Sequence, residues 1–590
     1  MASLHWHRFL LAVLNTSHIV KVPDKKGFTK ALKEIRGITS QSRAQDESTF
    51  ERTVLQSAFE RTIRRLPPRQ IAGDILAFVR DSGRQFCATE LCYVLACHKN
   101  AQALPVNAPS DHLDLNETTQ GLVTVGGDGL VSFVHPRLRT FLQRNRSLPE
   151  CPLEMSDKNS TLAQICISYL SLEQFSDGAC TSREALAARI FRSPLLDYAA
   201  KHWHLHYLEA NRNGTDMTLR ESARRFLSKS GSVSSAWQIM FLSRPLTKEH
   251  SDGQFEDESS PATEELYARQ AHFHATGLHL AVQLGLDELA HTLTADLDPT
   301  DINRTDGNGQ TPLHLAVALG AKVIAQNLMD HGGDANSRNV EGFSPWHIAA
   351  ANGYLSMVEL FLSQPAAQLD VDLQVLPYEG QQHSQLLTTS NSSSSRIGQA
   401  MHGATSLHLA ALKGHAEVVK RILDDVRCRE LIEDRSGMTA FHKACEHGQL
   451  DVVKLFIATS TTCVRQPSKK NARIGLHLAC KYATGYEVAK LLLEEYPDLC
   501  RVADKNGEVA LHHAARGGVV KIVQLLLQQP DININACNNQ DQTPLSLAAE
   551  CESAALCTLY DHDGAQKWTY VNGVAVEKIV RRQRKKPANV

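Results

Sequence analysis

One six-residue pattern recurs eight times at a nearly fixed spacing, and that spacing narrows the possible folds more than any other feature. Thr311-Pro312-Leu313-His314-Leu315-Ala316 has variants beginning at Thr276, Ser344, Thr405, Thr439, Ile474, Val509 and Thr543. The fourth position is His279, His314, His347, His408, His442, His477 and His512, with Ser546 in the last copy. Successive fourth positions lie 35, 33, 61, 34, 35, 35 and 34 residues apart. A unit of this length is one supersecondary element. It cannot bury its apolar face alone, so neighbouring units must stack to share a continuous core.

Each residue type in the pattern has a physical task. The Thr or Ser accepts a backbone N–H at a helix start. Pro312, at the first helical position, loses no bond, because that N–H has no intrahelical partner. A glycine six residues after the histidine ends the first helix, as at Gly285, Gly320, Gly353, Gly414, Gly448 and Gly518. Apolar spacing then marks a second helix, for example Val418, Val419, Ile422 and Leu423. Polar turns such as Asp306–Gly309, Asp434–Gly437 and Asp504–Gly507 lead into the next copy. This pattern resembles the ankyrin-repeat family. The resemblance implies about eight helical pairs over 266–565, forming an α-solenoid. It gives Thr311, Pro312 and the seven histidines structural roles, each histidine bonding nearby backbone rather than holding a metal. The long gap predicts an insertion near 366–403, containing Asn391 and four serines, as a disordered loop. The eighth copy, without histidine or glycine, suits a terminal cap that meets water on one side.

No copy occurs before residue 266. Helices are predicted at Thr53–Arg65, Ile71–Asp81 and Ala88–His98. A hairpin follows from Gly121–Val125 and Leu130–Val134 across a Gly-Gly-Asp-Gly turn, and then a helix from Pro136. That order is the order of a winged-helix domain over 46–150, with a helical linker domain at 151–245 and an acidic linker at 246–265. The segments GLVTVGGDGLVSFVHPRLRTFL (121–142) and SPLLDYAAKHWHLHYLEA (193–210) resemble fungal NACHT–ankyrin proteins, signal-transduction ATPases of the NOD-like-receptor type. In that family a P-loop ATPase precedes a winged helix, a helical linker and ankyrin repeats. The resemblance makes 1–45 a remnant of the ATPase-type helical segment. The motor itself is missing, since no Gly-x-x-x-x-Gly-Lys-Ser/Thr occurs, nor any Gly-Lys dipeptide. ATP binding therefore has no residue to rest on. The expected fold is mainly α, an N-terminal winged-helix and helical region followed by an ankyrin-repeat α-solenoid.

The same residues exclude several function classes. A formal net charge of −2 offers no global attraction for nucleic acid, and Ala88–His98 contains no Lys or Arg, so direct readout of nucleic acid is not expected. His202 and His206 share a helix face but have no cysteine near them, which is a poor metal set. The fourteen cysteines contain no Cys-x-x-Cys, which fits a reducing compartment. No apolar stretch approaches the roughly 20 residues of a membrane helix. The run Phe9–Leu14 is too short for the apolar core of a leader. No nucleophile elbow, His-Glu-x-x-His or phosphate loop occurs. The expectation is a non-enzymatic scaffold or adaptor without cofactor or small-molecule substrate, binding one or more proteins. The turn tips supply the candidate contacts Asn308, Glu341, Arg435, Lys505 and Asn539. Two alternatives are a regulator of a fungal pathway such as secondary-metabolite biosynthesis and a partner module of a separate NACHT-type ATPase. The tail 566–590 is basic. Arg581, Arg582, Arg584, Lys585 and Lys586 form a candidate import signal in a chain otherwise expected in the cytoplasm.

Overall fold

The computed structural model describes residues 70–99, 114–144, 158–242, 275–376 and 401–562 apart from four isolated positions, with short pieces within 59–66 and 570–580. The expected ATPase remnant at 1–45, the acidic linker at 246–265 and the import signal at Arg581–Lys586 lie outside the described residues. The chain divides into two compact units, Met1–Leu289 and Ala290–Val590.

In the first unit, helices α1 (Gln70–Asp81), α2 (Ala88–Lys99) and α3 (Leu115–Thr118) precede strands β1 (Val123–Val125) and β2 (Val131–Phe133), with α4 (Pro136–Arg144) after them. The strands pair antiparallel with Thr124 opposite Ser132. Gly129 closes the turn at φ 78°, a conformation glycine adopts without strain. Sequence periodicity does not reveal α3, which is only four residues long and held by Asp114 accepting the Glu117 N–H. Cys87 adds a β-bridge to Leu130, and the Val131 N–H donates to the Phe86 carbonyl at 2.7 Å. Leu76, Phe78, Leu91, Val94, Val131, Leu138 and Leu142 are buried. Arg139 of α4 donates to the carbonyls of Val79, Arg80 and Ser82, satisfying the C-terminal end of α1.

Helices α5 (Asn159–Leu170), α6 (Arg183–Arg192), α7 (Leu196–Asn211), α8 (Met217–Leu227) and α9 (Ser230–Leu242) complete the linker region, with α7 packed along α5. Trp203 is fully buried and meets the Phe226 ring edge-on at 5.5 Å. The histidines of α7 serve packing. His206 joins Asn159 Oδ1 at 2.7 Å and Tyr198 Oη at 2.8 Å, and His202 stacks on Tyr198. The first repeat begins with α10 (Gly277–Gln283), seated so closely on α8 that a Cβ on Gly277 would run into the Leu227 carbonyl.

Among its described residues, the second unit contains seven helical pairs. Their first helices are Pro312–Ala318, Pro345–Asn352, Ser406–Lys413, Ala440–Glu446, Gly475–Ala479, Ala510–Gly517 and Pro544–Glu550. Each first helix packs on the first helix of the next pair. Buried alanines such as Ala316, Ala349, Ala410, Ala444 and Ala514 permit that approach. Trp346 meets Phe361 edge-on at 5.8 Å, and Phe441 meets Phe456 the same way. The sixth copy, whose glycine comes late, makes a 3-10 turn at Ala483–Gly485, and Gly485 lies against the Ala479 carbonyl. The insertion is narrower than the expected 366–403. The Val375 N–H donates to Ala404 O at 2.8 Å, and the Gly403 N–H to Val375 O at 2.7 Å. Val375, Ala404 and Leu409 form a buried cluster with Phe343, Ala351 and Met401. These few apolar residues, spaced irregularly, turn both ends of the insertion into part of the core. Residues 377–400 lie outside the description.

Candidate functional site

The repeat histidines bond across the stack. In the second repeat the Thr311 N–H donates to His314 Nδ1 at 3.1 Å, which leaves the imidazole proton on Nε2. His279 does the same for Thr276 within the first unit. Ile474 and Val509 have no hydroxyl, yet their N–H groups still donate to His477 and His512. The Nε2 atoms then reach the following turn. His314 reaches Phe343 O at 3.1 Å, His347 Leu373 O at 2.9 Å, and His408 Met438 O at 3.0 Å. His477 reaches Val502 O at 2.9 Å and His512 Gln542 O at 3.1 Å. Local helix capping was legible in the sequence, whereas this second bond, 25 to 30 residues away, was not. His442 departs from the pattern, and its Nε2 is buried without a hydrogen-bond partner. The turn that would supply the acceptor is one residue longer there. The Ser468 N–H bonds Arg473 O, and Ala472 takes φ 51°. Burial pushes His347, His408, His442 and His477 down to about 4, so these side chains are neutral struts at physiological pH.

The turn tips are built on an Asp or Asn five residues ahead of most copies, three of which the sequence showed only as members of polar turns. Asp306, Asn339, Asp434, Asp504 and Asn538 are all buried. Each Oδ1 accepts two backbone N–H groups, from the residues two and four positions on. For Asp306 these are Asn308 at 2.9 Å and Gln310 at 2.8 Å. The same pair of bonds recurs at Asn339, Asp434, Asp504 and Asn538. Successive tips are joined by backbone hydrogen bonds. Val340 N–H donates to Asn308 O, Arg435 to His402 O, Lys469 to Gly437 O, Lys505 to Asn471 O, and Asn539 to Asn506 O, all at 2.9–3.0 Å. The five sequence candidates Asn308, Glu341, Arg435, Lys505 and Asn539 are all exposed. Arg435, Lys505 and Asn539 share one ladder running from His402 to Asn539, while Asn308 and Glu341 stand on tips ahead of the insertion.

Two tips rest on ion pairs whose carboxylates are buried. Lys443 Nζ lies 2.9 Å from Asp434 Oδ2. Asp504 Oδ2 faces Arg473 Nε at 3.1 Å and His513 Nε2 at 3.2 Å, and Glu508 pairs with Arg516. Burial alone would push Asp504 up. Hydrogen bonds from His513, the Glu508 N–H and Arg473 outweigh it and hold the carboxyl below the usual range. Asp504, Glu508 and His513 bring three ligand-type atoms together. Arg473 and Arg516 already balance the two carboxylates, so the cluster needs no cation for neutrality. Asp306 has the same two backbone bonds but no cation, and burial pushes its carboxyl up. Asp306→Asn keeps both acceptor bonds and removes a buried charge. It is expected to stabilise the protein by about 1 kcal/mol in urea unfolding at neutral pH. An unchanged or lowered midpoint would show that this carboxylate is well solvated.

Residues 278–374, 383–467 and 476–570 match the ankyrin-repeat family model in three copies. The array is an ankyrin-repeat domain. Human transient receptor potential cation channel subfamily A member 1 is 27% identical over 310 residues, covering 45% of this chain and 25% of that protein. Bovine NF-kappa-B inhibitor zeta is 24% identical over 289 residues, covering 44% of this chain and 38% of that protein. Mouse Rabankyrin-5 is 26% identical over 157 residues, covering 25% of this chain and 13% of that protein. The chain thus spans well under half the length of these relatives. Among the described residues, no helix is long and apolar enough to cross a membrane.

Proposed function

We propose that this protein is a non-enzymatic scaffold or adaptor whose ankyrin domain holds one or more protein partners across its turn tips. The observation that carries this reading is the tip ladder. At the Asp434, Asp504 and Asn538 turns, exposed side chains stand on backbone fixed by two Asx bonds within the turn and one bond to the turn before it. A surface fixed before binding loses little conformational entropy on contact, which leaves more of the contact energy for affinity. NF-kappa-B inhibitor zeta is named for acting on another protein, and that kind of act needs no catalytic group. Affinity capture from the native host tests the proposal, comparing the full chain with one carrying alanine at Asn308, Glu341, Arg435, Lys505 and Asn539. Loss of a dominant partner from the alanine chain is the expected result. Recovery of the same partners by both chains would remove the tips as the interface.

A second role belongs to the first unit. The order α1, α2, β1, β2, α4, with the Cys87–Leu130 bridge beside the hairpin, supports the winged-helix reading. With it goes the resemblance to NACHT–ankyrin signalling proteins. On this reading the unit is a protein-packing module that serves a separate ATPase. Nuclear entry rests on the basic tail alone. Truncation after Glu577 is expected to keep a tagged chain in the cytoplasm if the tail is its import signal.

A further inference from the structure

We infer that the turns entering the fifth, sixth and seventh repeats form a docking strip for an extended anionic polypeptide, an inference that rests on the scaffold reading above. Arg435, Lys469, Lys470 and Lys505 are all exposed, and none is ion-paired to another described residue. They occupy consecutive tips. The ladder bonds from the Lys469 N–H to Gly437 O and from the Lys505 N–H to Asn471 O fix each tip to the one before it. The acids of these three turns do not neutralise the strip. Asp434, Asp504 and Glu508 are buried and already face Lys443, Arg473 and Arg516. The sign changes on both sides, because Glu341 stands on an earlier tip and Asp541 on the tip of the eighth repeat. Among the described turn tips, positive charge is thus gathered on three consecutive turns, in a chain whose formal net charge is −2.

Spacing selects the form of the ligand. Neighbouring packed helices lie about 8–10 Å apart, so cations on successive repeats recur at roughly that interval. An extended chain advances about 3.3 Å per residue. Carboxylates at every third residue therefore meet one tip each. A single-stranded nucleic acid fits less well, because no aromatic side chain stands in these three turns to stack a base. Tip charges held on fixed backbone act mainly on encounter and register, so binding must weaken steeply with salt.

The probe is a labelled Gly-Ser peptide of about a dozen residues with Glu at every third position, read by fluorescence anisotropy with the full chain at low salt. Arg435→Glu, Lys469→Glu and Lys505→Glu together are expected to weaken binding about tenfold or more. The same charge change placed on exposed second-helix residues, Lys322→Glu, Lys420→Glu and Lys521→Glu, is expected to leave affinity within about twofold. Equal losses in the two triple variants would reduce the effect to net charge and overturn the strip. Binding of oligothymidylate as tight as that of the peptide would overturn the polypeptide assignment. Partners retained in host capture by the charge-reversed chain, but lost by the five-alanine chain, would sink this inference and leave the scaffold reading standing.

Discussion

Lowering the pH from about 6.5 to 4 is expected to unfold the ankyrin domain. His347, His408, His442 and His477 are pushed down to about 4 by burial, and His512 is lowered as well. An unfolded imidazole takes its proton near pH 6.5. Below that pH the unfolded chain binds protons that the folded chain refuses, so stability is full above about 6.5 and falls as pH drops toward 4. Each such histidine approaches a slope of about 1.4 kcal/mol per pH unit in that window. By pH 5 the four together remove several kcal/mol, a large share of the roughly 5–15 kcal/mol that holds an ordinary domain. Asp306, whose carboxyl burial pushes up, acts in the opposite direction but is outnumbered. Asp504 and Glu508, held low, add to the loss at still lower pH. Urea midpoints read by far-UV circular dichroism at about pH 7.5, 6 and 5 check the slope. A midpoint that stays constant across this range would mean that the imidazoles accept protons within the fold.

The histidines also mark where sequence reasoning stopped. Their bonding to nearby backbone was what the ankyrin-repeat resemblance implied, and the bond from the Thr311 N–H to His314 Nδ1 is of that kind. The bond from His314 Nε2 to Phe343 O joins one repeat to the next and has no sequence pattern, since any residue supplies a carbonyl. Turn tips were legible as polar Asp-x-x-Gly segments, and all five chosen contact residues are exposed there. What holds each tip was not, because Asp306, Asn339 and Asp434 read as ordinary turn formers until their Oδ1 atoms are seen to accept two N–H groups apiece. The insertion was overestimated for a related reason. Val375 and Ala404 each look like isolated apolar residues, and only their pairing across the gap makes them core. The charge of the strip, by contrast, lay in plain view at Arg435, Lys469, Lys470 and Lys505. Their adjacency became visible only through the ladder.

Lys443→Leu is expected to destabilise the domain by about 3–5 kcal/mol, although it installs the residue that other copies carry. Leu315, Leu409, Leu478 and Leu547 stand at the same repeat position, and all are buried. Lys443 pairs there with Asp434 of the turn below, whereas Leu315 stands at the matching place above Asp306, whose carboxyl burial pushes up. The pair is nearly dry, with side-chain exposures of 8% and 1%. Removing the cation strands a carboxylate where water does not reach, and burying an uncompensated charge is far costlier than losing a solvated pair. Asn339 and Asn538 show the way back. Each keeps the two turn bonds with an uncharged side chain, and the matching positions are then Ile348 and Leu547. Asp434→Asn combined with Lys443→Leu is therefore expected to recover most of the loss, a coupling that a double-mutant cycle in urea reads directly. Hydrogen exchange at Ser436 and Met438, whose N–H groups bond Asp434 Oδ1, should speed up in the single variant and return in the double. A Lys443→Leu chain within about 1 kcal/mol of the parent would show that water reaches Asp434 in the fold.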